Sequence, residues 1–131
     1  MPGTNLTHDE AAERASIVTV DAYDVHLDLR ADAPTFHSVT TVTFDATPGA
    51  STFIDLIADS VASMTLNGTT LPSSAYADSR IALSDLADHN TLVVDATCTY
   101  MHTGEGMHRF TDPIDNRDYV YTQFEVPDAR R

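Results

Sequence analysis

Polar and apolar positions alternate along most of this chain, and the one exception comes first. Thr7, His8, Asp9 and Glu10 have the Thr-x-x-Glu form, in which the hydroxyl caps one helix amide and the glutamate reaches back to another. Ala11, Ala12, Glu13, Arg14 and Ala15 continue with good helix formers, so the pattern predicts one short N-terminal helix. After it the period falls to two. Tyr23, Val25, Leu27 and Leu29 share one face and Asp24, His26 and Asp28 the other, which predicts a half-buried strand.

The alternation then recurs at intervals. Ala31, Asp32, Ala33 and Pro34 read as a turn into a second strand over 36–44, with Phe36, Val42 and Phe44 on one face, and these two strands are expected to pair. Shorter candidates cover 52–57, 61–66 and 81–83, and Asn67-Gly68 supplies the positive φ angles of a tight hairpin into Thr69, Thr70 and Leu71. The clearest strand spans 91–100, where Leu92, Val94, Ala96, Cys98 and Tyr100 point one way. Gly104 and Gly106 interrupt the chain before 107–110, Asp112-Pro113 opens a polar loop, and alternation resumes over 119–125. Strands at this spacing predict an all-β fold, an antiparallel sandwich or saddle carrying a short N-terminal helix.

Composition narrows the functional classes. A chain of 131 residues suffices for one core, and a hydrophobic fraction of 42% argues for a folded globule despite a net charge of −13. The 7 basic residues are all arginines, and only Arg130-Arg131 stand together, so a phosphate backbone would be repelled and nucleic acid is not an expected partner. Cys98 is the single cysteine, which leaves no disulfide framework and fits a reducing compartment. Residues 1–5 carry no basic stretch with an apolar run behind it, and no window nears the ~20 apolar residues of a membrane helix. No membrane partner is expected, and the reading is cytoplasmic.

Candidate chemistry is sparse. His8-Asp9-Glu10 lacks a second histidine four residues on, so no His-Glu-x-x-His zinc site is present. His102 and His108 flank Glu105, three donors that proximity alone does not make a metal site, and polar solvated imidazoles are the favoured account. Asp112, Asp115 and Asp118 lack the glycine and terminal glutamate of a calcium loop and read as a solvated acidic turn. On a strand, Tyr119, Tyr121, Gln123 and Glu125 would form one row of polar tips, either a cleft wall or an exposed polar sheet face.

At this segment the sequence resembles a known family. Thr103-Gly104-Glu105-Gly106-Met107-His108-Arg109-Phe110, then Asp112-Pro113, then Tyr119-Val120-Tyr121-Thr122-Gln123-Phe124-Glu125, then Asp128-Ala129-Arg130-Arg131 resemble, in order and spacing, the aminopeptidase N family of zinc aminopeptidases. Leu6-Thr7, Glu10-Ala11, Tyr23-Asp24-Val25 and Thr52-Phe53-Ile54-Asp55-Leu56 are similar to that family's amino terminus, so the likeness runs along nearly the whole chain. The resemblance implies that residues 1–131 are the non-catalytic amino-terminal domain of such an enzyme, incomplete at its C-terminal end. It implies that Glu125 helps hold the free α-amine of a peptide substrate and that Gln123 lies near the first side chain. It further implies partners in the peptide N-terminus and the enzyme's own downstream catalytic domain, with zinc held by ligands outside this chain. The family's Gly-x-Met-Glu-Asn loop, His-Glu-x-x-His helix, third zinc-ligand glutamate and catalytic tyrosine are absent, so this piece alone is expected to bind no metal and to be inactive. A free-standing β-sandwich binding domain is the alternative.

Overall fold

The computed structural model describes residues 5–130; residues 1–4, on which the leader expectation rests, and Arg131 of the basic pair lie outside it. Helix α1 (His8–Ile17) begins with Thr7 as N-cap, and both halves of the predicted capping box form, Thr7 Oγ1 accepting from the Glu10 amide and Glu10 accepting from the Thr7 amide. Ten strands follow: β1 (Val18–Asp28), β2 (Thr35–Ala46), β3 (Thr52–Asp55), β4 (Ser60–Leu66), β5 (Thr69–Thr70), β6 (Tyr76–Ala77), β7 (Arg80–Leu83), β8 (His89–Thr99), β9 (Gly106–Thr111) and β10 (Asp118–Gln123). A four-residue helix, α2 (Val126–Ala129), comes last among the described residues.

The strands make a five-stranded sheet in the order β1-β2-β8-β4-β5, a three-stranded sheet β3-β7-β6 and a two-stranded ribbon β10-β9. Every ladder is antiparallel, and β1 pairs with β2 as the alternation predicts. Asn67 (φ 53°) and Gly68 (φ 79°) form the expected hairpin between β4 and β5. The all-β expectation is therefore met, while β6, only two residues long, carries too little alternation to be read from sequence.

The core lies between the two larger sheets. Val42, Phe44, Leu92, Val94, Ala96, Cys98, Met64 and Leu66 from the large sheet meet Ile81 and Leu83 of β7, with Leu86 beside them. Cys98 is a buried core thiol, and burial raises its pKa. The small sheet is too narrow to cover the whole inner face, and β1 shows the consequence. Tyr23 stands opposite buried Val42, so it lies on the inner face, yet it is 60% exposed, and Val25, Leu27 and Leu29 are 40% exposed or more. The half-buried strand expected here is instead an uncovered apolar row.

Helix α1 is fastened to the small sheet by charge. Glu10 accepts from Nη1 and Nη2 of Arg80 at 3.0 and 3.4 Å. That pairing, and the Thr7 amide after it, lower the Glu10 pKa from 4.5 to about 2. A depressed carboxylate contributes stability that is complete above its unfolded pKa and is lost as pH falls through the folded one. The difference in melting temperature between the parent and Glu10→Gln should hold steady above pH 4.5 and shrink toward zero as pH approaches 2. A pH-independent difference in thermal unfolding would disprove this linkage.

Candidate substrate-binding site

The ribbon β9-β10 presents the residues singled out by the sequence. Directly opposed residues share a face, so the pairs Phe110–Tyr119, His108–Tyr121 and Gly106–Gln123 place three aromatic residues, His108 and Gln123 on one side. Phe110 stacks on Tyr119 with ring centroids 5.5 Å apart, and His108 lies 4.7 Å from Tyr121. Phe110, Tyr119 and Tyr121 are each more than 40% exposed. The opposite side is tied down, since Arg109 pairs with Asp118 at 3.3 Å and donates to the Ala31 carbonyl from a strand-linking turn of the main body. Backbone bonds from the Met101 amide to the Met107 carbonyl and from the Arg109 amide to the Met101 carbonyl complete the attachment.

Gln123 is the last residue of β10 and is exposed. Glu125 is also exposed, but it lies in the connection to α2 and not in the ladder, which the alternation had extended through residue 125. The partner strand explains the early end. Gly106, opposite Gln123, has φ 63° and Gly104 has φ 83°, so the chain turns away before it can offer a partner to Glu125. Tyr119, Tyr121 and Gln123 therefore share one face of the ladder, and Glu125 lies beyond it. What holds Glu125 is the short helix after it, whose Ala129 amide donates to the Glu125 carbonyl at 2.9 Å. A recess of about 120 Å³ is lined by Ile57, Thr99, Met101, Glu105, Gly106, Met107 and Phe124, the last of these the residue before Glu125. The carboxylate that lines this recess is Glu105, and a carboxylate on a largely apolar wall is chemically suited to a small cation that carries an apolar group.

The other candidates resolve into local structure. His102 Nδ1 bonds the Arg109 carbonyl at 2.7 Å, and His108 Nδ1 accepts from the Gly104 amide at 2.9 Å, so each imidazole has one nitrogen engaged in shaping the loop. Among the described residues no three His, Cys, Asp or Glu side chains converge as a metal-binding group, so those residues do not supply a zinc ligand set. Asp112 and Asp115 accept from the Ile114 and Arg117 amides, and Asp118 accepts from Thr111 Oγ1. Those carboxylates serve the turn itself. Tyr119 donates to Asp115, which raises the Tyr119 pKa and, with the Arg117 amide, lowers that of Asp115.

One constellation had no signal in the sequence. Asp55, at the end of β3, has a side chain only 3% exposed and receives three guanidinium groups: Arg80 Nε at 3.1 Å, Arg130 Nη1 at 3.1 Å and Arg14 Nη1 at 3.3 Å. Arg80 and Arg14 also lie over the Phe53 ring, 4.0 and 4.8 Å from its centroid. The cluster joins α1, the small sheet and the residue that follows α2. Among the described residues no helix is long and apolar enough to cross a membrane.

The chain is 54% identical over 136 aligned positions to Aminopeptidase N of Streptomyces lividans, an alignment that takes in all of this chain and 16% of that protein. The chain thus spans about one-sixth of the length of the curated relative it matches. In fold it is similar to an M1 zinc metallopeptidase of Deinococcus radiodurans (TM-score 0.57, 18% identity, 70% of this chain and 24% of that one). A structure of that metallopeptidase bound to a Tyr-Ser-Ala substrate superposes with a TM-score of 0.55, again at 18% identity over 70% of this chain and 24% of that one. No protein-family profile matches the sequence.

Proposed function

Since the chain belongs to the aminopeptidase N family, we propose that it is the amino-terminal, non-catalytic part of a zinc aminopeptidase that removes N-terminal residues from peptides, and that Glu125 and Gln123 contribute to binding the substrate's free end. The observation that carries this reading is the 54% identity along the entire chain to an aminopeptidase N. Exposed Glu125, which directly follows a residue lining the recess, supports the finer part. A carboxylate facing an ammonium gains a charge-assisted hydrogen bond worth about 1.5–3 kcal/mol net. An interior peptide nitrogen carries no such charge, so the same carboxylate would select chain ends over interior bonds. Zinc would be held by residues outside this chain, and the groups described here would bind and orient without taking part in bond cleavage.

The test is activity of the whole gene product on L-alanyl and L-leucyl p-nitroanilides beside the same compounds acetylated at the amine. The free-amine substrates should be hydrolysed and the blocked ones spared. Hydrolysis of neither series, with the aromatic ribbon still binding peptide or sugar, would instead favour a free-standing binding domain.

The uncovered row on β1 supports the presence of further protein against this chain, and its occupant in this reading is the remainder of the same polypeptide, since the relative is about six times as long. Contiguous exposed apolar surface of this kind marks an interface. Val25→Asp should change the stability of the isolated 131-residue chain by no more than about 0.5 kcal/mol, because the side chain is already half in water. In the whole protein the same change buries an unpaired carboxylate and should cost about 2 kcal/mol or more. Equal effects in differential scanning calorimetry of the two would remove the interface from β1.

A further inference from the structure

Asp55 and Arg130 are not among the residues of the ribbon's exposed face, yet they bear on where Glu125 is held. Beyond Gln123 the chain leaves its ladder, and until residue 130 its regular structure is α2, four residues long, whose Ala129 amide donates to the Glu125 carbonyl. So short a helix has almost no stability of its own, because nucleation fixes several residues for a single hydrogen bond. Its far end is fastened by Arg130 Nη1 to Asp55 Oδ2 at 3.1 Å, and the Arg130 side chain is 16% exposed. Asp55 is a rigid anchor: it is buried, paired to β7 through the β3 ladder, and held by Arg80 and Arg14 as well.

We propose that Asp55 and Arg130 are positioning residues, whose ion pair closes the segment between the end of β10 and residue 130 and thereby sets the place of the Glu125 carboxylate. The proposal rests on the substrate-amine role of Glu125 given above. Neither residue need touch the substrate. The pair acts by limiting the positions open to a carboxylate that the sheet no longer holds, and displacements of about 1 Å at a binding group can cost up to about a hundredfold in rate.

The experiment compares Arg130→Gln, Arg14→Gln, Glu125→Gln and the double variant Arg130→Gln/Glu125→Gln in the whole gene product, with L-alanyl p-nitroanilide as the probe. Arg14→Gln removes a contact to the same Asp55 oxygen from α1, so it controls for any general loosening of the cluster. Arg130→Gln should raise KM about tenfold, with kcat changed less than about twofold. Arg14→Gln should lower the melting temperature and leave KM at the parental value. With Glu125 already replaced, Arg130→Gln should have almost no further effect, the non-additivity expected of residues acting through one group. A parental KM in Arg130→Gln, or effects that add in the double variant, would overturn the proposal. If Glu125→Gln itself leaves KM unchanged, the amine-binding role fails, and the positioning role with it. A raised KM in Glu125→Gln beside a parental KM in Arg130→Gln rejects the positioning role alone.

Discussion

Glu125→Ala in the whole protein is expected to lower kcat/KM for aminoacyl substrates by about 2–4 kcal/mol of transition-state binding, roughly 30- to 1000-fold, with metal content unchanged. The size follows from what is removed. The proposed contact is a carboxylate against an ammonium, and truncating one member of such a pair costs more than the pair contributes net, because the other charge remains in the closed site without its partner. Glu125 itself is exposed in this chain, and the upper part of that range requires the remainder of the protein to exclude water around it. Gln123→Ala supplies the contrast. A neutral amide at the end of β10 can discriminate among substrate side chains but offers the ammonium no counter-charge, so its loss should alter preferences by less than about tenfold. Unaltered steady-state kinetics in Glu125→Ala would remove this residue from the site, and a larger effect at Gln123 than at Glu125 would reverse the assignment.

How far such a site can be read from sequence depends on the range of the interactions that build it. The alternation of β8 was legible because a period of two over eleven residues is set by each residue's own neighbours, and all five predicted inward positions are buried. The helix cap was legible for the same reason, since Thr7 and Glu10 are three residues apart. The alternation of β1 was equally clear, but its burial was not, because that depends on how far a second sheet extends over the first. At Glu125 the pattern misled. The residue continues the alternation, yet a strand needs a partner, and the partner turns away at Gly106, nineteen positions earlier in the chain. The Asp55 cluster draws on residues 14, 80 and 130, and no local spacing announces that four charged groups so far apart in sequence will share one buried point.

That cluster carries the second large effect. Asp55→Ala should destabilise the isolated chain by about 3 kcal/mol in urea unfolding, near the lower end of what breaking a buried ion pair costs. Two features keep the cost low in that range: Arg80 retains Glu10 as an acceptor, and the Arg14 side chain, 31% exposed, can turn toward water. Asp55→Asn keeps the shape and one acceptor oxygen, so it should cost roughly half as much. The direction is not self-evident, since the net contribution of a buried ion pair can be small when it is exchanged for apolar residues of equal volume. Alanine does not make that exchange. It withdraws the acceptor and leaves three guanidinium groups gathered around a space lined by the Phe53 ring, where their mutual repulsion is no longer offset. The chain's net charge of −13 makes the outcome more telling, because removing one of 20 acidic residues should otherwise relieve repulsion and stabilise the fold slightly. A loss of about 3 kcal/mol against that trend would mean that the local geometry of one carboxylate outweighs the field of all the rest, whereas a change below about 1 kcal/mol would show the cluster to be a solvated surface network.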